Sequence, residues 1–268
     1  MTGTMTSICI AAETLALSGY LTAAIVYPLR LVRPDSDYSR LGLLGLTGAA
    51  TLQGMGLAAH TLGRSQPLFG QYANVAFVLV LMLCAALWWS EYRTERPAIA
   101  AFITPVIFLI ALTGMLRPAA VPHITNPLLL VHVTLALLAY ALFGVAFAMA
   151  MAYLVNDFYL KHKQVERLPL LPPLPTADRV GHMAVCIGLP IYTLAILIGA
   201  SRVWLGHLGA DPKTVLAPVN WCVYALYLYL RDVPHVRGKR LQALLVLGFL
   251  MALSSIVFAP HSATKYYG

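Results

Sequence analysis

Residues 127–157 read PLLLVHVTLALLAYALFGVAFAMAMAYLVND, without a lysine, arginine or glutamate and with one acid, Asp157, at the far end. About twenty apolar residues suffice to cross the roughly 30 Å hydrocarbon layer of a bilayer. Backbone groups that cannot reach water must be satisfied within the segment, so such a stretch is α-helical. This one is longer than a simple span requires, which predicts that its C-terminal part continues as helix beyond the lipid.

Working outward from it, further apolar runs occupy 6–28, 41–62, 69–90, 97–116, 182–205, 214–230 and 240–260. Together they predict an all-α, polytopic membrane bundle of about eight transmembrane helices, folded as one domain over 1–268. The seventh run is short, with Pro218 near its start. The longest connection, 158–181, contains Leu168-Pro-Leu-Leu-Pro-Pro-Leu-Pro175 and reads as a semi-rigid linker. In the second run Gly42, Gly45 and Gly48 recur at helical spacing, followed by Gly54 and Gly56, as expected where helices pack closely in lipid.

Composition supports the same class. Hydrophobic residues make up 60% of the chain and charged residues 10%, whereas about a quarter of an ordinary soluble domain is charged. So few charges cannot cover a water-facing surface. The net charge of +8 does not indicate nucleic acid, because the basic residues are confined to the segments between apolar runs. They form no basic face interleaved with aromatics. Cys9, Cys84, Cys186 and Cys222 each lie inside an apolar run, none in a C-x-x-C pair, and read as unpaired helix thiols.

The basic residues report orientation. If the first connection is cytoplasmic, that side holds thirteen of the 18 Lys and Arg residues, and the other side holds Arg64, Arg117, Arg202, Lys213 and Lys265. The positive-inside rule then places both termini outside, on the periplasmic side of a bacterial inner membrane. The first apolar run is followed, not preceded, by arginines, so a cleavable signal peptide is not expected.

The histidines are unevenly placed. His162, His182 and His235 fall in or beside cytoplasmic connections and are expected to face water or headgroups. His60, His123, His132, His207 and His261 lie on or near the outer side. His60 ends the second run, His132 begins the fifth and His261 follows the eighth, so the three should share a depth. Neutral imidazole is a good ligand for haem iron, zinc or copper. The outer side has only Glu13 and Asp211 as acids and no accompanying cysteine, which disfavours a zinc hydrolase site. Two imidazoles above an apolar cavity suit a bis-histidine haem better.

Three stretches carry a family resemblance. The fifth run opens His132-Val-Thr-Leu-Ala-Leu-Leu-Ala-Tyr140-Ala. After the sixth comes Trp204-Leu-Gly-His207-Leu-Gly-Ala-Asp211-Pro-Lys213, followed by Trp221-Cys-Val-Tyr-Ala-Leu-Tyr-Leu-Tyr-Leu-Arg231. The chain closes on Pro260-His261-Ser262. In order and spacing, residues 126–268 resemble the cytochrome c assembly family, the polytopic haem-handling proteins of c-type cytochrome maturation. Gly63, Pro67 and Leu68 resemble the family's G-x-x-P-L-x-N loop more weakly. In register with Asp211-Pro-Lys213 only Trp204 of the family's tryptophan-rich segment is present. Leu208 and Ala210 stand for the inner tryptophans and Thr214 for the following glutamate. That degenerate pattern resembles the shorter, HemX-like branch next to the CcsA-like synthases.

The resemblance implies a b-type haem held non-covalently near the outer face, with His132 and His261 as axial ligands and His60 as a further candidate. Trp204 and His207 are further candidates to line the cofactor, and by their charge Lys213, Arg202, Arg117 and Arg64 are candidates to pair with its propionates. Expected partners are lipid, haem, another maturation subunit and apocytochrome c. Covalent attachment would need that other subunit, so the chain is not expected to be an enzyme alone. The alternatives are a haem-free regulatory or scaffold protein of the same fold and a b-type electron-transfer subunit.

Overall fold

The computed structural model describes residues 2–32, 38–63, 72–94, 99–116, 127–164, 170–204 and 212–258. The side chains of 2–10, 32, 38–39, 60, 62–63, 72, 91, 93–94, 202–204, 212–214 and 257–258 lie outside what it describes. Eight α-helices account for nearly all of this: α1 Thr2–Val32, α2 Tyr38–Gly63, α3 Tyr72–Thr94, α4 Ala100–Leu116, α5 Pro127–Lys161, α6 Leu174–Trp204, α7 Pro212–Asp232 and α8 Lys239–Phe258. No strand occurs among the described residues. Six helices are long and apolar enough to cross a membrane, namely α1, α2, α3, α5, α6 and α8. The protein is therefore a multi-pass membrane protein.

The other two helices fall short for different reasons. With 17 residues, α4 is about 25 Å long at 1.5 Å per residue. Its 21 residues make α7 long enough, but polar side chains along one face dilute its hydropathy. The 35 residues of α5 reach about 52 Å and outrun the lipid, as its sequence predicts. The connection after it is tighter than 158–181, because α6 already begins at Leu174. Its proline segment docks on α5: Leu171 is buried against Ala152 and Tyr159, and Asn156 Nδ2 donates to the Pro172 carbonyl at 2.9 Å.

Packing follows where the chain has small residues. α1 lies against α2 and α4, α3 bridges to α5, and α5 packs along α6 and α8, with α7 between α6 and α8. A Cβ on Gly19 would come 2.7 Å from the Gly45 carbonyl oxygen, so α1 and α2 touch backbone to backbone. Gly42 similarly receives the Tyr27 ring, and Gly144 receives Leu83 from α3. Gly48, Gly54 and Gly56 have nothing within 4 Å of where a Cβ would be. Only part of the α2 glycine series is thus a packing seam. Gly19→Val should lower the thermal midpoint of the purified protein by several degrees, because a fixed carbonyl cannot yield. Gly54→Val should leave it within a degree or two; equal effects would contradict this seam.

Candidate functional site

His132 lies in the second turn of α5, at the end of the bundle where α6 finishes and α7 starts. Its Nδ1 donates to the Ala195 carbonyl of α6 at 2.6 Å. A carbonyl only accepts, so the proton must sit on Nδ1, and in the neutral ring the lone pair is on Nε2. Such a bond fixes both tautomer and ring orientation for a metal-ligating imidazole. One turn further along α6, Gly199 makes the pose possible. A Cβ there would come 2.7 Å from Cε1 and 3.1 Å from Nδ1 of the ring.

Below His132 the α5–α6–α7 seam is aromatic. The Tyr140 and Tyr192 hydroxyls stand 3.5 Å apart, and Tyr192 OH donates to the Ala217 carbonyl of α7 at 3.5 Å. Phe143 stacks on Tyr224 with ring centres 3.8 Å apart and meets Tyr192 edge-on. Trp221 Nε1 donates to Thr193 Oγ1 at 2.9 Å, so this tryptophan is tied to α6 inside the bundle. Gly188 leaves room for Phe143, and Gly248 of α8 leaves room for Tyr224. On the other side of the bundle Tyr20 OH donates to Gln53 Oε1 at 2.7 Å. His60 stands two helical turns after Gln53 in α2.

Other site residues read from the sequence are placed only in part. His60 is on α2, Arg202 and Trp204 are in the last turn of α6, and Lys213 is in the first turn of α7, with side chains that are not described. His123, His207 and His261 lie outside the described residues. Among the described residues no group of three His, Cys, Asp or Glu side chains is placed to hold a metal ion.

A second polar cluster, unsuspected from the sequence, closes the opposite end. Arg231, only 6% exposed, donates from Nη1 to Asp178 Oδ1 at 2.5 Å. Gln242 Nε2 donates to the same oxygen at 2.7 Å, so one carboxylate joins α6, α7 and α8. His182 belongs here too. Rather than facing water in a connection, it sits in α6 with Nε2 3.6 Å from Asp232 Oδ1 and 3.4 Å from Cys186 Sγ. The reason is that α6 starts at Leu174, eight residues before the apolar run does. Of the three thiols described, only Cys84 is buried; Cys186 and Cys222 face outward.

Residues 52–257 match the sequence model of a family described as "Cytochrome C assembly protein". Among relatives, the chain is 26% identical over 212 residues to "Cytochrome c biogenesis protein CcsA" of Guillardia theta, covering 69% of this chain and 70% of that protein. It is 24% identical over 278 residues to the protein of that name from Synechococcus sp. (strain JA-2-3B'a(2-13)), covering 79% of each. It is 26% identical over 239 residues to "Inner membrane protein YpjD" of Escherichia coli (strain K12), covering 84% of this chain and 88% of that protein. No solved structure matches the chain.

Proposed function

This chain belongs to the cytochrome c assembly protein family, and from that premise we propose that it is a haem-handling protein of c-type cytochrome maturation in the bacterial inner membrane. In this reading eight helices span the bilayer, both termini are periplasmic, and a b-type haem lies non-covalently near the outer face. His132 and His261 are its axial ligands, and His60 is a further candidate. Trp204 and His207 lie against the ring, and Arg202 and Lys213 face the propionates. Another maturation subunit and apocytochrome c are the partners, and the chain is not an enzyme by itself.

The observation that supports this most is the clamp on His132. Donation of Nδ1 to Ala195 turns Nε2 into the acceptor nitrogen, the state an iron ligand needs. The same bond prevents the ring from swinging away, and Gly199 lets the imidazole lie flat on α6. Haem, when bound, supplies the vinyl carbons to which cysteine thiols of a cytochrome become attached. The contribution of this chain is to bind and orient, since attachment depends on positioning rather than on an acid or base here.

A visible spectrum of the detergent-purified protein, expressed with ample haem, tests the reading. A Soret band with split α and β bands on reduction is expected, and it should vanish in a His132→Ala/His261→Ala double variant. A wild-type protein that carries no haem and takes none up on titration would overturn it in favour of a haem-free scaffold.

A further inference from the structure

Glu13 is the one acid in residues 1–34, and His60 is the one side chain in 41–63 that can carry a charge. Glu13 lies inside the apolar span Ala11–Leu31, and His60 directly follows the span Arg40–Ala59. An ionisable group at such a depth is costly to leave alone and usually has a named partner. The two helices that carry them pack together along α1 and α2. Three contacts fix their register as antiparallel. Gly19 meets the Gly45 carbonyl and Ala49, Gly42 receives the Tyr27 ring, and Tyr20 OH donates to Gln53 Oε1 at 2.7 Å.

Glu13 precedes Tyr20 by seven residues, and His60 follows Gln53 by seven. Seven residues are two helical turns to within about 20° and about 10.5 Å of rise. On antiparallel helices both steps run toward the same end, where α1 begins and α2 finishes. Positions 13 and 60 are therefore the Tyr20–Gln53 pair moved two turns along, on the same two faces. Cα–Cβ bonds tilt toward the N-terminus of their own helix, so the two positions lean toward each other. Little stands between them. One turn inward on α1 is Ala16, 1% exposed. One turn inward on α2 is Gly56, which is buried and has nothing within 4 Å of where a Cβ would be. The small residues leave the space beside this pair of positions unfilled.

We propose that Glu13 is the positioning residue of His60, its carboxyl group accepting one imidazole N–H. The other ring nitrogen is then left as the acceptor that a metal ligand needs. The two histidines are held by different chemistry, His132 by the neutral Ala195 carbonyl and His60 by an acid. A carboxyl partner makes an imidazole the more basic ligand, and a more basic ligand favours ferric over ferrous iron. The role toward iron rests on the haem reading above; the pair itself stands on helix register alone.

A double-mutant cycle on the full chain in lipid nanodiscs, purified without added haem, tests the pair. Glu13→Ala and His60→Ala should each lower the thermal midpoint, and the double variant should lose little more than either alone. Leu15→Ala, on the exposed face of α1, should combine additively with His60→Ala. Glu13→Gln and His60→Gln replace the alanine variants should these fail to fold. Additive losses for Glu13 and His60 would overturn the pairing. Reductive titration of the haem-loaded protein tests the positioning. Glu13→Gln should raise the haem midpoint potential, Glu13→Asp should keep most of the wild-type value, and in a His60→Ala background Glu13→Gln should shift nothing. An unchanged potential in Glu13→Gln, or an equal shift without His60, would overturn the positioning role. A wild type that takes up no haem would overturn the haem reading and this role with it, while the thermal cycle still decides the pair.

Discussion

Gly199→Ala is expected to weaken haem binding at least tenfold while leaving the bundle folded. The added Cβ would stand 2.7 Å from His132 Cε1, and the side chain that must yield is an imidazole that can rotate about χ1. Relief is therefore cheap for the fold and expensive for the site. The ring leaves its bond to Ala195, and Nε2 no longer points where a fixed ligand would. Tenfold corresponds to about 1.4 kcal/mol, a modest demand on a lost ligand pose. Gly199→Leu should approach the loss seen with His132→Ala. Haem titration followed at the Soret band, beside a circular-dichroism melt, separates ligand loss from unfolding. Wild-type affinity in Gly199→Leu would show that His132 in this pose does not hold the iron.

Asp178→Ala should be among the most destabilising single changes outside the proposed haem site. It strands the buried Arg231 guanidinium and removes the acceptor of Gln242. Breaking a buried pair from one side costs about 3–5 kcal/mol, because the remaining charge stays desolvated. Replacing both partners by apolar residues is far milder, so Asp178→Leu/Arg231→Leu should recover most of the loss. The double-mutant cycle, read from unfolding midpoints in one detergent, should give strong coupling. Additive effects would mean that the two residues do not share a site.

The sequence by itself determined the class and much of the plan of this protein. Long apolar stretches such as 127–157 admit one secondary structure in lipid, because only a helix satisfies its own backbone there. The over-long fifth run was legible for the same reason. His132 was legible as a candidate because an imidazole at the start of an apolar run is chemically conspicuous, and the motifs around Trp204, Asp211 and Trp221 pointed to the family that residues 52–257 match.

Helix rotation decided what periodicity leaves open. In a bundle surrounded by lipid both faces of a helix are apolar, so hydropathy does not show which side faces in. The polar residues of α7 look like interruptions of a weak span until Tyr224 and Tyr227 are seen at 0% exposure and Arg231 on Asp178. The pairing of His132 with Ala195 and Gly199 joins residues more than sixty positions apart. It depends on α5 and α6 approaching closely enough for a glycine to be required. His182 changed from a headgroup residue to a member of a three-helix cluster because α6 begins before its apolar run, where the proline segment docks on Asn156. Hydrophobicity fixes which segments leave water; only tertiary contact fixes which side chains then meet, because that choice is made by shape and hydrogen bonds between helices.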